Sequence, residues 1–212
     1  MEALQKVLQS KEAQRGLISL YADSQVECTR NGACGMEIGM AREKDLCAVL
    51  KYFLKDTIQL EIQNSLPEDF LISGEKVSVK HSQSKVGAAV KAKWTSADKS
   101  VESDIKAMIE APDEYYPHLL LIYLSVPEKK ITIVCISKEK NKEVIQNLRE
   151  EAFKVPKGNS RGIEYSSKAM KSLMKDPVFQ ISMENCNLLG GMNPIDKRMQ
   201  FLASQNISPI LS

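Results

Sequence analysis

The chain has 212 residues, 26% of them charged and 43% hydrophobic, with a formal net charge of +2. That is enough chain to bury a core without staples, and the balance is that of a soluble globular protein read most simply as one domain. The longest apolar run, around Leu119–Val126, is too short to span a bilayer, and the N-terminus has an amphipathic pattern without the shape of a signal peptide.

In chain order, Leu4, Leu8, Leu17 and Leu20 recur at helical intervals and predict an amphipathic helix over 2–21. Asn31-Gly32-Ala33-Cys34-Gly35 reads as a flexible break. Leu46, Val49, Leu50, Phe53, Leu54, Ile58 and Ile62 keep a helical period and predict one long helix from Glu37 to Asn64, with Pro67 just past its end. The period then switches. Phe70-Leu71-Ile72 and Lys76–Lys80 predict a hairpin around Ser73-Gly74-Glu75, with Ser78 and Lys80 on one face and Val77 and Val79 on the other. Gly87 and Ala88 mark a loop, and Ser100–Glu110 predicts a helix. Leu119–Leu124 and Ile131–Ile136 predict two buried strands. Further on come a charged helix over Lys138–Phe153, a loop at Pro156–Gly162 and a basic helix over Ile163–Lys175. An edge strand over Val178–Met183 and a short helix over Ile195–Ser204 close the list. The order predicts an α/β (α+β) fold with a central mixed β-sheet flanked by helices. It also predicts a single domain over 1–212, with residues 1–35 as N-terminal helix and break and 36–212 as the working core.

Five cysteines without repeated spacing and two histidines argue against a disulfide framework and a His-rich metal site. Reduced thiols in a cytoplasm are expected, with Cys47 and Cys135 in the core. There is no Walker loop, no GxGxxG, no HExxH and no paired CxxC. The chemical signal is Pro67-Glu68-Asp69-Phe70 followed by Val77-Ser78-Val79-Lys80-His81-Ser82. An acid precedes one strand and a lysine is embedded in the next. Phosphodiester hydrolysis needs charge stabilisation on the phosphate and an in-line hydroxide. Carboxylate-held Mg²⁺ with a lysine beside it meets both needs.

This arrangement resembles the PD-(D/E)XK nuclease superfamily, best known from type II restriction endonucleases. The resemblance implies that Asp69 is the first metal-binding acid and Lys80 the lysine that orients or deprotonates the water. Ser78 stands where that pattern has an Asp or Glu, a true departure, because a neutral hydroxyl holds Mg²⁺ poorly. Some family members with this gap recruit a glutamate from the helix preceding the hairpin. Gly39-Met40-Ala41-Arg42-Glu43 resembles the start of that helix in several restriction enzymes and favours Glu43 over Glu61 and Glu37. The resemblance is closest to the ThaI-like branch. There, a methionine just ahead of the helix Glu wedges between base pairs, which implies that role for Met36 or, at a poorer offset, Met40. It also implies a short G/C-only palindrome such as CGCG, cut blunt.

Residues 76–99 hold Lys76, Lys80, Lys85, Lys91, Lys93 and Lys99 against the single acid Asp98, either a phosphate-neutralising patch or a solvated loop. Ser82 and Lys85 continue a Lys-His-Ser stretch similar to that of some restriction enzymes. Lys91, Lys93 and Trp94 suit phosphate and sugar contacts, although Trp94 suits a core anchor equally well. Asn159, Ser160 and Arg161 lie in a Gly-flanked loop similar to one in related enzymes. They either read bases in the major groove or cap the following helix.

The expected function is therefore a type II restriction endonuclease, acting on double-stranded DNA as a homodimer matched to a palindrome. A structure-selective repair or recombination nuclease of the same superfamily is the nearest alternative. Ser78 keeps a non-catalytic DNA-binding protein as a third.

Overall fold

The computed structural model describes residues 1–30, 32, 35–55, 58–60, 69–96, 98–113, 116–125, 127–158 and 162–186. Three layers stack. Helices α1 (Glu2–Gln9), α2 (Lys11–Arg30) and α3 (Gly35–Leu54) cover one face of a six-stranded sheet. The sheet comprises β1 (Ile58–Leu60), β2 (Phe70–Ile72), β3 (Glu75–Ser82), β5 (His118–Ser125), β6 (Lys130–Ile136) and β9 (Phe179–Met183), in the order β1-β2-β3-β5-β6-β9. The other face carries helices α4 (Val101–Ile109), α5 (Lys138–Leu148) and α6 (Ser167–Leu173). With them packs a small sheet of β4 (Lys91–Trp94), β7 (Phe153–Lys154) and β8 (Gly162–Tyr165), in the order β4-β8-β7.

The main sheet is mixed. Among the described residues only β3 and β5 pair in parallel, and that pairing needs a long crossover, which β4 and α4 supply. Strand β5 shows why its sequence is continuously apolar. Leu120, Ile122 and Leu124 enter the core under α1–α3, while Leu119, Leu121 and Tyr123 enter the core under α4–α6. Truncating one of these buried leucines to alanine costs about 2–5 kcal/mol.

Several predicted elements change at their ends, each for a local reason. The first helix is two: Ser10 stops α1, and its hydroxyl accepts the Ala13 N–H at 3.1 Å at the start of α2. Leu20 is exposed on α2 and is not part of the buried stripe. The long helix ends at Leu54, where Lys55 turns left-handed at φ 49°. Ile58, four places on, is a strand residue opposite Ile72. Its helical spacing was coincidental, and its branched side chain suits the sheet. Glu61 and Ile62 lie outside the described residues. The hairpin forms as read: Ser73 and Gly74 both take positive φ (51° and 81°), the two-residue turn that matches strand twist.

The helix predicted over Lys138–Phe153 stops at Leu148, because Arg149 adopts φ 49°. One 3₁₀ turn then leads into β7. The helix predicted over Ile163–Lys175 is strand β8 followed by α6. Its cap is Ser166, whose hydroxyl accepts the Ala169 N–H at 3.2 Å. That displaces Asn159 and Ser160 as caps. Strand β9 is at the sheet edge as expected, and the helix expected over Ile195–Ser204 lies outside the described residues.

Candidate active site

The site forms where β2 stops and β3 continues. Strand β2 pairs with β3 from Glu75 to Val77. The Asp69 N–H still donates to the Val77 carbonyl at 2.8 Å, placing Asp69 opposite Ser78. From there the aspartate side chain takes over the ladder. Its Oδ2 accepts the backbone N–H of Val79, and the Ser78 hydroxyl donates to the same oxygen at 3.2 Å. Ser78 is buried. The residue that departs from the expected acid therefore has a clear job: it is a donor that orients Asp69. An acid in its place would set a second buried negative charge against the first.

Helix α3 brings the second carboxylate. Leu46, Val49 and Leu50 bury its inner face against the sheet, and Glu43 sits one turn before Leu46 on that side. Burial first, and the nearby charge of Asp69 second, push the Glu43 carboxyl up to about 7; Lys80 pulls the other way. Glu43 thus lies within electrostatic reach of both Asp69 and Lys80. Cys47, one turn along α3, faces the same carboxylates. Burial raises its thiol to about 12, and Glu43 and Asp69 add to the rise. It is partly buried against the core and kept unreactive, while Cys135 is fully buried.

Two carboxylates that repel each other, beside a lysine, leave an excess of negative charge that a hard cation relieves. Mg²⁺ takes oxygen ligands and keeps several waters, so two protein carboxylates suit it. Among the described residues no group of three or more His, Cys, Asp or Glu gathers as a metal cage.

The other predicted residues lie on several separate elements. Lys80 and Ser82 lie on the β3 face aligned with Leu121 and Tyr123. The Ser82 hydroxyl accepts the Ser84 N–H at 3.2 Å. Lys85 is exposed and lines a groove between loop 84–89 and the small sheet, together with Ala88, Lys154, Glu164, Lys168 and Lys171. Gly87, at φ 81°, lets that loop lie against α6, where Met174 is 3.9 Å from the position a Cβ would take. Two of these lysines are already matched, Lys154 to Glu164 at 3.2 Å and Lys168 to Glu151. Trp94 is 43% exposed on the edge strand β4, so it is not a core anchor. The Lys91 ammonium lies 3.3 Å above its ring. Lys93 is committed to the buried Asp104 at 2.6 Å. Met40 is exposed one turn before Glu43. The side chain of Met36, and all of Asn159, Ser160 and Arg161, lie outside the described residues.

Sequence reasoning missed the supporting shell: Ser78 as donor, Cys47 as lining, and Lys154, Lys168 and Lys171 in the groove. Alternation already put Ser78 on the Lys80 face, but only the fold shows that Asp69 lies across from it.

No curated protein matches the chain. Among solved structures, one described as "Restriction endonuclease in complex with substrate DNA" superposes with a TM-score of 0.72. The two are 24% identical, over 96% of this chain and 98% of that one. This likeness shows the fold, a mixed sheet flanked by helices. A sequence model of the family described as restriction endonuclease ThaI matches residues 4–188, most of the chain from α1 to past β9. The chain belongs to the ThaI restriction endonuclease family.

Proposed function

We propose that the whole chain acts as one nuclease domain, a Mg²⁺-dependent type II restriction endonuclease of the PD-(D/E)XK kind, with Glu43, Asp69 and Lys80 as its catalytic residues. The observation that carries the reading is that a helix carboxylate lies within electrostatic reach of a strand-end carboxylate and of a β3 lysine, in a chain of a restriction endonuclease family.

Each residue has a part that its surroundings suit. Asp69 is fixed by the Val79 N–H and the Ser78 hydroxyl, so it presents a set orientation without rotamer loss on binding. Glu43 arrives on a helix locked by three buried apolar residues, and with Asp69 it would hold the cation. When bound, Mg²⁺ supplies charge stabilisation on the scissile phosphate and an activated water. Lys80, on the strand beside Asp69, orients that water and offsets charge on the phosphate. Ser78, as a neutral donor, keeps Asp69 aimed without adding charge.

The DNA backbone would leave the site along the face carrying Ser82 and Lys85 and pass the groove with Lys171. These are charges suited to phosphate contacts. Lys91 and Trp94 would lie further along the edge. Met36 and Met40, ahead of Glu43 on α3, are placed in sequence for a minor-groove wedge, and Asn159, Ser160 and Arg161 for base readout. Cleavage of both strands of a palindrome implies a homodimer. A short G/C-only site such as CGCG, cut blunt, is the target we would test first.

The test is digestion of unmethylated phage DNA by purified protein with Mg²⁺ or with EDTA. Sharp fragments with Mg²⁺ only, whose sequenced ends share one short palindrome, are expected. Smears or branch-dependent cuts would favour a structure-selective nuclease. Binding without any cleavage, with Mn²⁺ also tried, would favour a non-catalytic DNA-binding protein.

A further inference from the structure

Among the polar contacts of helix α2 that the reaction just described does not use, two stand next to the site in sequence. Tyr21 is fully buried, and its hydroxyl lies 2.8 Å from Nε2 of His81. One turn further along the same face, the Gln25 amide oxygen accepts a hydrogen bond from the guanidinium of Arg42. Arg42 is 4% exposed on α3, and its Nε is buried without a hydrogen-bond partner among the described residues. The significance lies in sequence. His81 directly follows Lys80 on β3, and Arg42 directly precedes Glu43 on α3. Alternation along the strand turns His81 toward the helices and Lys80 away from them. One helix therefore grips the immediate neighbour of the lysine and the immediate neighbour of the glutamate.

We propose that Tyr21 and Gln25 of α2 are positioning residues, which fix helix α3 against strand β3 so that Glu43 meets Asp69 and Lys80. The proposal rests on the nuclease reading above.

Apolar packing alone does not do this. Leucines at the α3–sheet contact exclude water but tolerate small rotations and slides, because dispersion is not directional. Hydrogen bonds to a buried phenol and a buried guanidinium are directional, and a guanidinium that loses its acceptor in that setting leaves a buried donor unsatisfied. The demand for precision is real at this site, since a misplacement of about 1 Å costs on the order of 10²-fold in rate. The imidazole is neutral, pushed down to about 3 by burial and then by the charges of Arg42 and Lys80. The contact with Tyr21 is thus between two uncharged groups and adds no net charge behind the carboxylates.

The experiment compares full-length wild type with Tyr21→Phe, Gln25→Leu and Gln25→Glu. Tyr21→Phe keeps the ring and deletes the hydroxyl. Gln25→Leu removes the acceptor, and Gln25→Glu restores one for Arg42. Three quantities are read: single-turnover cleavage with Mg²⁺, duplex binding in EDTA, and Mn²⁺ binding to the metal-free protein by calorimetry. We expect Tyr21→Phe and Gln25→Leu to cut roughly 10- to 100-fold more slowly and to bind Mn²⁺ several-fold more weakly, with duplex affinity unchanged. Gln25→Glu should recover both quantities to near wild type.

Wild-type cleavage and Mn²⁺ affinity in Tyr21→Phe and Gln25→Leu would overturn the proposal. So would loss of Gln25→Glu together with Gln25→Leu, or a loss of duplex binding that accounts for the slower cutting. A wild type that binds Mn²⁺ and does not cut DNA would instead overturn the nuclease reading, and the Mn²⁺ affinities of the variants would still judge this one.

Discussion

Two regions among the described residues set a lysine near a carboxylate that is at least partly buried, and they are settled differently. On the small sheet, Lys93 reaches the almost fully buried Asp104 at 2.6 Å and closes an ion pair one to one. At the edge of β3, Lys80 shares the neighbourhood of two carboxylates, and one of them, Glu43, is pushed up to about 7. The first arrangement is a one-to-one pair that serves the fold, although Asp104 Oδ2 is buried without a hydrogen-bond partner among the described residues. The second leaves Glu43 and Asp69 repelling each other, with Lys80 offsetting only part of that repulsion. Both lysines lie in the same lysine-rich stretch of sequence, so residue type alone does not separate them.

The largest effect should come from breaking the open site. Asp69→Asn keeps the shape but removes the charge, and we expect cleavage to fall by about 10²–10⁴-fold with the fold retained, read by single-turnover kinetics alongside circular dichroism. The closed pair should respond in the opposite way. Lys93→Ala leaves Asp104 buried without its partner and should cost about 3 kcal/mol in denaturant unfolding, while cleavage in conditions that keep the protein folded stays near wild type.

Protonation sharpens the contrast further. Folding raises Glu43 from 4.5 to about 7, so the metal-free folded state keeps a proton that the unfolded chain has released. This contribution to stability is present in full below about pH 4.5 and is lost as pH rises through about 7. Cation affinity should run the other way and climb over the same window, because the ligand is the carboxylate. Metal-free unfolding curves of wild type and Glu43→Gln between pH 5 and 8 check this, with a flatter profile expected for the variant. The smallest effect belongs to the groove. Lys85→Ala and Lys171→Ala should each lower the log–log salt slope of duplex binding by about 1, with site preference unchanged.

Much of this was legible before the fold. The hairpin, the buried pair β5 and β6 and the layered α+β class follow from period and turn residues, whereas Glu43 is singled out only by the resemblance to restriction enzymes with a helix-borne glutamate. The errors cluster where two periods agree over a short span. Ile58 sits four places after Leu54 and satisfies a helix as well as a strand, and only the left-handed Lys55 and the pairing with Ile72 decide it. Ile163 and Tyr165 were absorbed into a helix for the same reason, although Ser166 is the true cap. The site was read through its charged members, because carboxylates and lysines announce chemistry. Ser78, Tyr21 and Arg42 announce nothing locally. Their roles depend on what the fold sets across from them: Asp69, His81 and Gln25.

The central claim is that Glu43, Asp69 and Lys80 are one metal-dependent catalytic unit, and single-turnover cleavage by Lys80→Ala tests it most directly. Wild type and variant are compared on unmethylated phage DNA with Mg²⁺ and with EDTA, after duplex binding has shown that both are folded and loaded. The account predicts discrete fragments from wild type with Mg²⁺ only, and a rate lower by about 10²–10⁴-fold for Lys80→Ala with duplex affinity retained. Cleavage by Lys80→Ala at the wild-type rate, or by wild type in EDTA, would contradict it.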